Sequence, residues 1–194
     1  RGTDNFPKNF TNNNLGNTST VTYDRPSNSI QYVAGVNYGT LNFNDNNIAC
    51  TKIALGNITV SNTLSLNGTN GGRFDLAGFD LTFGADAIVA GTPNNNNHID
   101  LTNGGSVYKY FDAAGQFVFP VGTNNTYLPA RLNLSTATLG GAVGTRFVRL
   151  QTTAAVAPNQ LDTTYSLNRY YTLNTQNISD VTGNFKFAYR NADL

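Results

Sequence analysis

The sequence predicts an all-β protein: a β-solenoid stretch of the right-handed β-helix kind, followed by an antiparallel, sandwich-like half. Three observations carry this. Strand and turn formers dominate, with Thr, Val, Ile, Phe and Tyr set among Asn, Asp, Ser and Gly, while Glu, Met and Trp are absent and only four Lys occur among 194 residues. Short apolar-x-apolar pairs recur between Gly- and Asn-containing corners over residues 19–92. After residue 127 the strands lengthen and alternate cleanly, as a sheet with one wet face does.

Residues 1–18 are polar and irregular, with Asn12-Asn13-Asn14 at their centre. The solenoid pattern fills residues 19–92. Its strands are expected at 19–23, 30–33, 38–43, 52–55, 58–60, 63–66, 73–76 and 79–83, and Gly, Asn or Asp interrupts them every few residues. Leu41/Phe43, Ile53/Leu55, Leu64/Leu66, Phe74/Leu76 and Leu81/Phe83 are the pairs expected to point inward, because side chains alternate across a strand. Gly and Asn suit the corners, since sharp turns visit the left-handed region. Thr18, Thr20 and Thr22 place three hydroxyls on one strand face, but the pattern does not return at a fixed sequence period.

Asn94-Asn95-Asn96-Asn97 breaks the pattern, and residues 93–194 read as a β-rich capping or sandwich-like region. Strands are expected at 98–102, 107–111 and 116–119, the last two flanking Asp112-Ala113-Ala114-Gly115 as a hairpin loop. Alternating strands follow at 130–135, 145–151, 167–173 and 184–189. The first residue is Arg1 and the sequence stops just after a strand, so both ends read as cut from a longer polypeptide.

Composition bounds function. Charged residues are 12% of the chain and net charge is +1, so no basic stripe offers itself to nucleic acid or to an anionic membrane. No apolar run approaches the ~18 residues of a membrane helix. A catalytic triad would have to use His98, the one histidine, which reads as a solvated residue at the edge of a loop. Cys50 is the one cysteine and reads as a buried, inert thiol. Asp75 and Asp80 are five apart around a Gly corner. Paired carboxylates serve glycoside hydrolysis, but two corner residues of one coil read the same way. Asp45, Asp75, Asp80 and Asp86 are the acids from which a calcium site could be built, without a supporting motif; no other cofactor is expected. Tyr108, Tyr110, Tyr170 and Tyr171 are weak candidates for stacking on carbohydrate, against the more common role of cross-strand packing.

Three stretches carry a resemblance. Ser19-Thr20-Val21-Thr22-Tyr23 with Gln31 and Tyr38-Gly39-Thr40-Leu41 is one; the coil from Gly72 to Gly84, with Asp75-Leu76 and Asp80-Leu81, is the second. Phe117-Val118-Phe119-Pro120-Val121-Gly122 followed by Leu167-Asn168-Arg169-Tyr170-Tyr171 is the third. Together they resemble the repetitive β-helix regions of large surface and secreted proteins of the Bacteroidota, which commonly leave the cell by type IX secretion. The resemblance implies export, an extracellular or cell-surface location and great length, and supplies no functional residues. Within it, Asp162-Thr163-Thr164 matches the O-glycosylation pattern of such bacteria, making Thr163 the candidate site of a glycoprotein.

The expectation is a non-enzymatic structural or adhesive module of a long surface protein, as part of a stalk or filament. Its partners would be neighbouring modules or subunits, with glycans as a further class. The alternative is a carbohydrate-binding or carbohydrate-active β-helix, whose acids and bases should gather in one groove.

Overall fold

The computed structural model describes residues 6, 15–24, 29–44, 50–67, 72–154 and 169–193. Among the described residues seventeen strands run in order: β1 (Thr20–Tyr23), β2 (Gln31–Val33), β3 (Asn37–Phe43), β4 (Lys52–Ala54), β5 (Ile58–Leu66), β6 (Phe74–Asp75), β7 (Asp80–Phe83), β8 (Ile88–Gly91), β9 (Ile99–Asp100), β10 (Ser106–Tyr110), β11 (Gln116–Phe119), β12 (Val121–Thr123), β13 (Thr126–Tyr127), β14 (Ala130–Leu139), β15 (Phe147–Ala154), β16 (Arg169–Gln176) and β17 (Ile178–Phe187). A 3₁₀ turn, Asn191–Asp193, follows. No helix among the described residues is long and apolar enough to cross a membrane.

The strands alternate between two parallel stacks. One reads β1-β3-β5-β7-β10, the other β2-β4-β6-β9-β12, each pairing parallel with its neighbour. This is a β-solenoid of about four turns. Both stacks end the same way: β15 joins β10 antiparallel, and β13 joins β12 antiparallel. Parallel stacking therefore continues past residue 92, through β9, β10 and β12, before the chain reverses. A third sheet, β11-β14-β17, is antiparallel throughout and faces the β15–β16 part of the first, giving the sandwich-like half.

Like residues stack along the coils. Leu41 lies in register with Leu64, and Phe43 with Leu66. Leu81 pairs with Ile58 below and Val107 above. All are buried, and each stabilises the fold by roughly 1.5–3 kcal/mol relative to exposure. Phe43 meets Phe74 across the coil with ring centroids 4.9 Å apart, and Phe83 meets Phe117 of the third sheet at 5.1 Å. The two halves thus share one core.

Two expectations fail here. In β4 the buried residues are Lys52 and Ala54; Ile53 is half-buried and Leu55 is exposed. A period of two means that one residue of phase turns the whole strand over. Residues 107–111 and 116–119 also form no hairpin. β10 pairs with β7 and β15, whereas β11 pairs with β14 in another sheet. Phe117 and Phe119 turn into the core while Tyr108 and Tyr110 stay on the outer face of β10.

Candidate functional site

Charged side chains converge at the corner after β6 and β9. Asp75 and Asp100 are register partners on adjacent coils, so their Cα atoms lie about 4.8 Å apart. Asp100 Oδ2 accepts from Arg73 Nη1 at 2.8 Å, and Oδ1 accepts from the Thr102 N–H at 2.9 Å and from the Thr102 hydroxyl. Asp75 Oδ1 accepts from the Ala77 N–H at 2.8 Å, and Oδ2 from Asn103 Nδ2 at 2.6 Å. Each Asp closes its own turn by bonding the N–H two residues on, and each is tied to the neighbouring coil. Each of the four carboxylate oxygens therefore accepts at least one hydrogen bond within the corner. Asp80 lies on the other side of the Gly78 corner, in the first sheet, with its N–H donating to Asn57 Oδ1 at 3.0 Å. The acid in register with Asp75 is Asp100 rather than Asp80, a pairing that sequence reading missed. Its signal was the repeated Asp-Leu before a Gly-containing turn, at Asp75-Leu76 and Asp100-Leu101.

His98 is fully buried, not solvated. Asn94 and Asn97 close a tight turn on each other, and Asn97 Nδ2 donates to Leu66 O of the preceding coil at 2.6 Å. His98 Nδ1 lies 3.0 Å from Asn94 O, which makes Nδ1 the protonated nitrogen. Nε2 is buried without a hydrogen-bond partner among the described residues. Gly122 packs closely against the ring: a Cβ there would lie 2.6 Å from Nε2. Burial lowers the imidazole pKa below its ordinary value, with Asn94 and Asp100 opposing and Arg73 assisting.

Two lysines, Lys52 and Lys109, are buried in the core. Lys109 Nζ donates to Gly84 O, Ala85 O and Ala87 O at 2.7, 2.6 and 2.9 Å, tying β10 to the turn between β7 and β8. The Phe117 and Phe111 rings lie 5.2 and 5.8 Å away. Burial pushes its pKa down to about 8 against the pull of Asp86 and Asp112. Lys52 Nζ donates to Cys50 O at 3.2 Å, beneath the Phe43 ring. Lys109 has two flanking tyrosines that share an outward face, so alternation alone points it inward.

The aromatic candidates separate into two groups. On the outer face of β10, Tyr108 and Tyr110 each meet Phe147 edge-on, at 5.1 and 5.6 Å, and the Arg149 guanidinium lies 5.6 Å over the Tyr108 ring. Tyr171 stacks on Phe187 at 4.4 Å, and its hydroxyl donates to Ala188 O at 2.7 Å; burial pushes that hydroxyl up to about 12. The Tyr170 hydroxyl is buried without a partner among the described residues. Tyr171 thus packs on the core, whereas Tyr108 and Tyr110 lie on the outer face of β10. Thr163 and Asp45 lie outside the described residues. Cys50 is buried, as expected. Among the described residues no group of three or more His, Cys or Asp side chains could hold a metal ion.

The fold and these side chains define a parallel β-solenoid whose charged groups fasten coil to coil and whose last coil is sealed by antiparallel strands. No protein-family model, curated protein or solved structure matches the chain.

Proposed function

We propose that this chain is a structural or adhesive module of a long, exported surface protein, working through length and display. One observation supports this above the rest: Asp75 and Asp100, the carboxylates that come together beside an Arg, have every oxygen bonded within the corner. A general acid or nucleophile needs a free oxygen facing substrate. Neighbouring modules are the natural partners of such a stack.

A load-bearing role is tested by pulling the chain from residues 19 and 190 in single-molecule force spectroscopy. A structural module yields as one cooperative unit, and Asp100→Ala lowers the unfolding force. Coil-by-coil release at low force, unchanged by Asp100→Ala, would contradict the proposal.

A second reading rests on the Tyr108, Tyr110, Phe147 and Arg149 patch, an aromatic and cationic cluster on the outer face of β10 that offers ring surface to a sugar. Glycan-array binding that Tyr108→Ala and Tyr110→Ala abolish would favour it.

A further inference from the structure

The nine-residue β5 is covered unevenly. β3 pairs along one edge; on the other, β7 takes Ile58–Val60 and β8 takes Thr63–Leu66. The next coil continues only over β7, as β10. β8 pairs with β5 alone, so its outer edge carries no strand among the described residues. A cleft of about 450 Å³ opens against it, walled by Ala85–Val89 on one side and Phe111–Val118 on the other. Ile88 at its mouth is 58% exposed. Asp86 and Asp112 are exposed on its rim, and neither has an ion pair or hydrogen bond among the described residues. The one cation lining the cleft, Lys109, directs all three ammonium protons to backbone carbonyls.

We infer that β8 and this cleft form a docking site for an extended peptide segment that carries a Lys or Arg beside an apolar residue. Three features select that occupant. An unpaired strand edge offers a row of N–H and C=O groups that an extended backbone can pair with along its length. The Ala, Val and Phe walls accept an apolar side chain. Two carboxylates without a bonded partner on the rim attract a cation. The inference deepens the proposed architectural role by giving the module a lateral attachment point, and it rests on that reading only for the identity of the partner as a neighbouring module.

The probe is the blocked hexapeptide Lys-Thr-Val-Thr-Val-Lys, titrated into the isotopically labelled full chain and followed by backbone amide shifts. Its counterpart with Glu at both ends serves as control. The basic peptide should shift Asp86–Gly91 and Asp112–Val118. Asp86→Asn with Asp112→Asn should weaken binding about tenfold, as the loss of two rim charges does. Ile88→Lys should abolish it, while the unliganded spectrum stays folded. Equal responses to both peptides, shifts centred elsewhere, or no shift at millimolar peptide would overturn the inference. Concentration-dependent shifts at β8 without peptide would assign the edge to a second copy of this chain and overturn it too. Failure here with a high cooperative unfolding force would leave the architectural reading standing.

Discussion

Lys109 of β10 donates to Ala87 O of the preceding coil across 2.9 Å, from a site that is almost wholly buried. With Gly84 O and Ala85 O it completes an ammonium whose three donors are all met by the one turn that splits β7 from β8. Lys109→Met keeps the aliphatic volume and removes the donor from three carbonyls, of which Gly84 O still accepts from the Ala87 N–H at 3.1 Å. Stability should fall by about 3 kcal/mol, read as a lower denaturant midpoint at unchanged slope. A midpoint within error of the wild type would contradict the role.

His98 gives the fold a sensitivity to mild acid. Burial lowers its pKa in the folded state, so the unfolded chain takes the proton first. Stability should be full above about pH 6.5, fall as pH drops through that value, and level off below the folded pKa. His98→Asn, which retains a donor toward Asn94 O, should flatten the slope between pH 6.5 and 5 while lowering stability overall. Melting temperature against pH in both proteins checks this.

Gly105 combines a φ of +97° with close approach, because a Cβ there would meet Phe79 O at 2.2 Å. Gly105→Ala should cost well over about 1 kcal/mol. Gly115→Ala, where nothing lies within 4 Å, should be near neutral. Paired thermal melts measure the contrast.

Four of the five apolar-x-apolar pairs read from the sequence point inward as expected: Leu41/Phe43, Leu64/Leu66, Phe74/Leu76 and Leu81/Phe83. The fifth slipped because Lys52, polar by type, is buried in β4 together with Ala54. A lysine stem packs as hydrocarbon, and its ammonium finds carbonyls only in the folded coil. The Asp75–Asp100 pair went unread for another reason, although the repeated Asp-Leu hinted at it. Coil length varies, and in-register stacking is set by space rather than by a fixed spacing. The same holds for Thr20, Thr40 and Thr63, which align in one column although 20 and 23 residues separate them. β8 and β12 went unread as strands because each stacks in parallel on a strand of an earlier coil, β5 and β9, more than 20 residues back in sequence.

The most direct test measures Asp75→Asn with Asp100→Asn twice over: unfolding by denaturant, and release of reducing ends from a panel of polysaccharides alongside the wild type. Carboxylates that fasten coils predict no release by either protein and a stability loss of about 2–4 kcal/mol in the variant. Cleavage by the wild type, lost in a variant of unchanged stability, would contradict the account.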